Sequence, residues 1–188
     1  TMGIAPVVVK DMVAGKTDAP TAMGSGFVLK LLGSLLAWIL VIAFSFIVKD
    51  AVSVRLLLAI AAVQTVIRST EIMQAYYQAK VHSSTTVKAQ MVSLVVVNAI
   101  RVGFILTGKP LEWFIWILPA DAMIIGWLMM RFMRRSEAPV RSWTFSASYA
   151  RTILSESWPS LFSGIFVTIY MKIDQVMIQS ILGEEQVG

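Results

Sequence analysis

A lysine and an aspartate interrupt the last apolar run of the chain, and their position indicates a polar pathway through a membrane. The run extends from Trp158 to Leu182, which is long enough to span a bilayer, and Lys172 and Asp174 lie midway along it. A charge near the bilayer centre costs about 3 kcal/mol on insertion scales. Such charges persist mainly where they face a bundle interior, a water-filled cavity or a partner charge.

Helical spacing groups the polar residues of this run. Lys172, Gln175 and Gln179 fall at positions i, i+3 and i+7, on one face of a helix. Asp174 points away, about 200° round from Lys172. Two interpretations remain open: a functional site in a cavity, or structural ion pairs between Lys172, Asp174 and neighbouring helices.

The second predicted span carries another constellation, and three further charges lie inside other spans. Arg68 and Glu71 are three residues apart and can pair, either at a cavity wall or only to anchor the helix end. Lys30 and Arg101 lie nearer to span ends, where we expect them to snorkel. Asp121 has too short a side chain to snorkel, so it pairs with Arg101 or Lys30 or takes up a proton during transport.

The composition is that of an integral membrane protein. Of 188 residues, 57% are hydrophobic and 14% are charged, against about 25% charged in soluble domains. With no cysteine and one histidine, the chain has no recognisable metal site, and it has no phosphate-binding loop, so we predict no cofactor. The net charge of +5 arises from basic loops between apolar spans, which argues against nucleic-acid binding.

Periodicity predicts an all-α, polytopic transmembrane bundle in four parts. Residues 1–14 read as the end of a truncated helix, and 21–133 as four transmembrane helices, at about 21–48, 52–77, 87–107 and 111–133. Residues 134–157 read as a basic linker with a short amphipathic helix on the membrane surface. Residues 158–182 form a last span that begins at Trp158, with Pro159 in its first turn.

Loop charges predict the orientation. Two loops and the linker fall on one side if every span crosses once, and that side is therefore cytoplasmic. It holds nine basic residues: Lys10, Lys16, Lys80, Lys88, Arg131, Arg134, Arg135, Arg141 and Arg151. The arginines of the linker are expected to contact anionic lipid headgroups. We also expect the chain to be an internal piece of a longer protein, because it lacks an initiator methionine and stops just after a long helix.

Two stretches resemble a known family. Residues 71–81, EIMQAYYQAKV, resemble its fourth-helix signature, and residues 155–164, SESWPSLFSG, with 169–178, IYMKIDQVMI, resemble its seventh-helix signature. The family is the bacterial polysaccharide exporters of the O-antigen flippase type, in the multidrug/oligosaccharidyl-lipid/polysaccharide exporter superfamily. The resemblance covers essentially the whole chain, and the seventh-helix motif is its most specific part.

The resemblance implies part of one lobe of a two-lobed, MATE-like bundle in the bacterial inner membrane. The implied function is to flip undecaprenyl-diphosphate-linked oligosaccharides from the cytoplasmic to the periplasmic leaflet, for O-antigen or exopolysaccharide synthesis. Polysaccharide polymerase and chain-length machinery are expected partners. Expected substrate-binding residues are Lys172, Gln175, Gln179 and Arg68, and expected ion-coupling or structural residues are Asp174, Asp121 and Glu71.

Other functions fit the chain less well. A drug/cation antiporter of the same superfamily favours a carboxylate-lined cavity, and Lys172 argues against it. A membrane enzyme acting on lipid-linked sugars needs a sizeable periplasmic loop or a catalytic cluster, and the connections near Lys49 and Lys109 are only a few residues long. A structural scaffold does not require so many buried ions. We therefore expect a transporter and not an enzyme.

Overall fold

The computed structural model describes residues 3–47, 52–110 and 112–182, and all the regular structure in these ranges is helical. The helices are α1 (Ile4–Val13), α2 (Ala19–Ile47), α3 (Val52–Ile67), α4 (Ile72–Ala79), α5 (Ser83–Leu106), α6 (Glu112–Ile115), α7 (Ile117–Met133) and α8 (Ala147–Leu182). A 3-10 turn, Arg68–Glu71, joins α3 to α4, and a second one, Val140–Ser142, precedes α8. The predicted all-α bundle is confirmed.

Within the described ranges, three segments are long and apolar enough to cross a membrane: Ala19–Phe46, Ser83–Leu106 and Trp113–Met133. Each is at least 21 residues long, so it covers about 30 Å of hydrocarbon at 1.5 Å per residue. Their outward faces carry large exposed apolar side chains such as Leu36, Phe44 and Val95, which suit a lipid environment. The bundle is therefore polytopic.

The sequence predicted one continuous α-helix for the second span, and this is wrong. The 3-10 turn Arg68–Glu71 interrupts the helix. Hydroxyl side chains bond back to the backbone just before the interruption and within it. Thr65 Oγ1 donates to the carbonyl of Ala62 at 2.6 Å, and Thr70 Oγ1 donates to that of Ile67 at 2.9 Å. Such bonds bend helices, and a 3-10 stretch inside a helix is often found at a functional hinge.

Two helix boundaries near prolines also differ from the predictions. The fourth span divides at Trp116 into α6 and α7, and Pro119 lies in the first turn of α7, where its missing N–H is tolerated. Pro159 lies inside α8 and not in a first turn, because one helix runs through the predicted surface helix and the last span. Proline removes one backbone hydrogen bond at that point without ending the helix.

The first part of α8 packs against the bundle, and its predicted position at the membrane surface remains a prediction. Ile153 is fully buried and Tyr149 packs against the same apolar cluster, which also includes Val8, Met23 and Met73. The helix contacts α1 and α2. The core thus lies at the end of the bundle that carries the α4–α5 turn.

Candidate functional site

Four charged side chains from three elements form a continuous ion-pair cluster, in which Lys30 is buried and Arg68 is exposed. Lys30 of α2 places its Nζ 3.4 Å from Glu71 Oε2. Glu71 Oε1 lies 3.5 Å from Arg68 Nη1, and Arg68 Nη2 lies 3.8 Å from Asp121 Oδ2 on α7. We call Lys30, Arg68, Glu71 and Asp121 the charge cluster. Its formal charges sum to zero, and each carboxylate has at least one cation beside it.

Neutral side chains complete the hydrogen bonding of the charge cluster. Ser93 of α5 donates to Asp121 Oδ1 at 2.5 Å. Gln64, with its amide oxygen turned toward Arg68, accepts from Nη2 at 3.0 Å and from Nε at 3.1 Å. Charges in a low-dielectric interior are tolerated when their remaining lone pairs and protons are also satisfied. These contacts therefore link α2, α3, α5, α7 and the 3-10 turn in one network.

A glycine brings α7 close to the 3-10 turn. A Cβ atom at Gly126 would lie 2.9 Å from Thr70 Oγ1, nearer than ordinary side-chain contacts allow. The missing side chain lets α7 approach the turn, and Asp121 lies on the same helix. The position of the ion pair between Arg68 and Asp121 therefore depends on a small residue more than one helical turn away.

The charge cluster forms part of the wall of a polar cavity of about 430 Å³. The cavity lies between the 3-10 turn, α4, α5 and α7. Its lining consists of charged, amide and aliphatic side chains: Arg68, Glu71, Gln74, Gln90, Leu94, Val97, Asn98, Arg101, Asp121 and Ile125. Such a mixture suits a ligand with polar groups and apolar C–H surfaces.

A smaller cavity of about 230 Å³ lies beside the same ion pair. Arg68 and Glu71 line both cavities, and the smaller one is otherwise lined by Lys30, Ala37 and three hydroxyl side chains: Ser34, Thr65 and Ser69. Because both cavities are lined by Arg68 and Glu71, a rearrangement of either side chain would change the walls of both cavities.

The structure brings together three of the seven predicted site residues. Arg68, Glu71 and Asp121 line one cavity, and the expected pairing of Arg68 with Glu71 is present. Lys172 lies on an exposed face of α8 and is not among the residues that line this cavity. The other three, Asp174, Gln175 and Gln179, belong to α8, but their side chains lie outside the described part of the structure. The roles of all seven remain predictions.

Two expectations about single residues are wrong. Lys30 does not snorkel, because its side chain turns inward to Glu71 and the residue is only 8% exposed. Asp121 pairs with Arg68 and not with Arg101 or Lys30. Both errors have one cause: sequence spacing shows which residues share a helix face, whereas these contacts join different helices.

Sequence reasoning also assigned no site role to several polar residues of the cavity. Gln74 lies on α4, and Gln90, Asn98 and Arg101 lie on α5. A signal was available on α5, since steps of eight and three residues place Gln90, Asn98 and Arg101 on one side of the helix. Among the described residues, no group of three or more histidine and acidic side chains could hold a metal ion.

A second set of contacts fastens the first part of α8 to the bundle. Lys10 of α1 forms an ion pair with Glu156. The hydrogen bond between them raises the pKa of Lys10 and lowers that of Glu156. Tyr149 donates to the buried carboxylate of Asp11 at 3.2 Å. Burial, reinforced by the charge of Asp11, raises the pKa of Tyr149 to about 12.

The segment before α8 is held by α2. Ser146 N–H donates to Ser25 Oγ at 3.0 Å, and Thr144 N–H donates to the carbonyl of Pro20 at 3.3 Å. Gly24 lies against the backbone of Thr144 so closely that any Cβ would collide with it. The connection between α7 and α8 is therefore fixed to α2 by backbone contacts.

A polytopic α-helical bundle with charged residues that line an open polar pocket is found among membrane transport proteins. The chain belongs to the polysaccharide biosynthesis protein family, which matches it over residues 1–188. No significant match was found among curated proteins or solved structures. The protein is thus a membrane protein with a role in polysaccharide biosynthesis and export.

Proposed function

We propose that this chain forms part of a flippase that moves undecaprenyl-diphosphate-linked oligosaccharides from the cytoplasmic to the periplasmic leaflet of the bacterial inner membrane. Transport would proceed by alternating access and would supply units for surface polysaccharide. The observation that carries the proposal is the polar cavity beside the charge cluster. Membership of the polysaccharide biosynthesis protein family supports it.

The depth of the charge cluster supports a transport pathway. Lys30 lies about 16 Å along α2 from Ala19, and Asp121 lies about 18 Å along α7 from Met133, at 1.5 Å per residue. Both helix ends lie at the end of the bundle that carries the α4–α5 turn. A hydrocarbon core is about 30 Å thick, so the cluster would lie near mid-depth with these helix ends at one edge of the core. Substrate and ion sites of secondary transporters lie at this depth.

The chemistry of the cavity fits an anionic, sugar-bearing lipid. Arginine side chains bind phosphate or carboxylate oxygens in pairs. Asparagine and glutamine offer both a donor and an acceptor, as sugar hydroxyls require. Leu94 and Ile125 supply apolar surface. In a complete two-lobed protein, Lys172, Gln175 and Gln179 would add a further cationic and polar face from α8.

Glu71 and Asp121 are the proposed coupling groups. Both share Arg68, so protonating either carboxylate would leave the guanidinium to the other carboxylate or to an incoming anion. Asp174 is a third proposed coupling group on α8. Energy would enter through an ion gradient or a partner protein. The proposed partners are anionic lipids, polysaccharide polymerase and chain-length machinery.

Drug/cation antiport is the second candidate, and the two carboxylates on the cavity wall favour it. A cationic drug needs net negative charge in its site. Lys30 and Arg68 cancel the charges of Glu71 and Asp121, which weakens this alternative. Drug resistance that depends on the full-length protein and is lost in Asp121→Asn would favour the antiporter.

The proposal is tested in a strain that lacks the gene and is complemented with variants of the full-length protein. Wild type should restore surface polysaccharide and clear the lipid-linked intermediate. Arg68→Gln and Lys172→Met should let the intermediate accumulate. Lys88→Gln removes a charge from an exposed position on α5 that lines neither cavity and serves as the matched control. Normal surface polysaccharide in the strain without the gene would refute the proposed function.

A further inference from the structure

A stripe of polar side chains runs along the cavity face of α5. Gln90, Asn98 and Arg101 line the cavity together with Leu94, and all four are exposed. Their steps of four, four and three residues keep them on one side of the helix. Since α5 is apolar and long enough to cross a membrane, these side chains would lie within or at the edge of the hydrocarbon region. Polar groups there face a cavity, because lipid offers them no hydrogen bonds.

The two arginines of the cavity differ in how far their charge is compensated. Arg68 is shared by Glu71 and Asp121 and also bonded by Gln64. Arg101 makes no ion pair with any residue in the described ranges, although it lines the same cavity. Arg101 is therefore the cavity cation whose charge remains available to a ligand.

The amides beside Arg101 also retain bonding capacity. Asn98 uses one N–H to bond the Leu94 carbonyl at 2.7 Å, and its side-chain oxygen accepts no hydrogen bond from the described residues. Gln90 and Gln74 make no side-chain hydrogen bonds within the same part of the chain. A ligand with several hydroxyl groups could satisfy three amides at once. Leu94 and Val97 would meet its C–H faces.

We propose that this stripe is a glycan subsite in which Arg101 binds an anionic group and Gln90, Asn98 and Gln74 bind adjacent sugar hydroxyls. The anion is a carboxylate of an acidic sugar or the diphosphate of the lipid carrier, which share the paired oxygens that a guanidinium recognises. A cavity of about 430 Å³ falls within the range of about 300–1,000 Å³ usual for small-ligand sites. This inference rests on the proposed function and assigns the part of the substrate that α5 recognises.

Binding to the purified full-length protein in nanodiscs tests the subsite. Two probes are compared: an undecaprenyl-diphosphate-linked neutral oligosaccharide, and the same molecule with one hexose replaced by a hexuronic acid. Arg101→Gln should weaken binding about tenfold or more, as expected for loss of a charge-assisted contact. Arg101→Lys should retain part of the affinity. Lys88→Gln removes an exposed charge of α5 that does not line the cavity, and it should bind like wild type.

The two probes separate the sources of the anion. An equal loss for both probes in Arg101→Gln identifies the carrier diphosphate, and a loss only for the acidic probe identifies the sugar carboxylate. Gln90→Met, which leaves Arg101 intact, should weaken both probes. Unchanged binding of both probes in Arg101→Gln and in Gln90→Met would overturn the subsite while leaving the flippase proposal intact. Failure of wild type to bind either probe would overturn both.

Discussion

Arg68 of the 3-10 turn and Asp121 of α7 form an ion pair of 3.8 Å across the cavity wall, while the same guanidinium lies 3.5 Å from Glu71. One cation is thus shared by carboxylates on two different elements. A change in the charge of either carboxylate alters the force between the turn and α7. This relation gives the proposed ion coupling a physical route to helix movement.

The first prediction concerns the pair itself. Asp121→Asn should lower the free energy of unfolding of the full-length protein by about 1–3 kcal/mol, because it removes one carboxylate from Arg68. The pair is partly exposed, so the effect should fall below the 3–5 kcal/mol of fully buried pairs. Thermal unfolding in detergent measures it. The double variant Arg68→Gln/Asp121→Asn should lose less than the sum of the single losses, and strict additivity would contradict the coupling.

The second prediction concerns Lys30. Lys30→Met keeps most of the side-chain volume but leaves Glu71 with Arg68 as its only described cation. We expect the melting temperature to fall, with a loss of about 1–3 kcal/mol for the incompletely paired carboxylate. Lys88→Met is the control, since Lys88 is exposed on α5. Equal melting temperatures for the two variants would show that Lys30 does not stabilise the cluster.

The third prediction compares two helical glycines. Gly126→Ala would place a methyl group 2.9 Å from Thr70 Oγ1, so the Thr70 side chain or the 3-10 turn must shift, at a cost of about 1–3 kcal/mol. Gly103→Ala meets no atom within 4 Å and should be neutral or stabilising by up to about 1 kcal/mol. The free energy of unfolding, measured for both variants and for wild type, tests this difference. A stable Gly126→Ala protein with wild-type transport would show that α7 need not approach the turn.

The fourth prediction concerns pH. The pKa of Tyr149 is raised to about 12 in the fold, against an ordinary value of 10, so folding favours its protonated form. Its contribution to stability is therefore complete below pH about 10 and is lost as the pH rises toward about 12. Tyr149→Phe should flatten the fall in melting temperature between pH 10 and 12. An unchanged alkaline slope in the variant would show that Tyr149 does not cause it.

The helices could be predicted from the sequence because membrane spans depend on length and apolarity, which are local properties. The interruption at Arg68–Glu71 could not, because the surrounding run stays apolar enough to read as one span. The predicted start of the last span at Trp158 and Pro159 is wrong for a related reason. Proline is typical of a first turn, but the packing of Tyr149 and Ile153 on the bundle keeps α8 continuous through it.

The candidate site was partly predictable. Charges are rare in apolar spans, so Arg68, Glu71 and Asp121 can be identified as candidate site residues from the sequence. The i, i+3 spacing also predicts the ion pair between Arg68 and Glu71. The partner of Asp121 and the inward turn of Lys30 depend on how α2, α3 and α7 pack. Uncharged polar side chains such as Gln90 are a weaker sequence signal of a site, because only the structure shows that a cavity faces them.

The most direct test of the flippase proposal is leaflet accessibility of a lipid-linked oligosaccharide in proteoliposomes that contain the full-length protein. The oligosaccharide starts in the inner leaflet, and an added glycosidase cleaves what reaches the outer leaflet. We expect protein-dependent cleavage that is lost in Arg68→Gln and kept in Lys88→Gln. Cleavage that does not exceed that of protein-free liposomes, or that persists unchanged in Arg68→Gln, would contradict it.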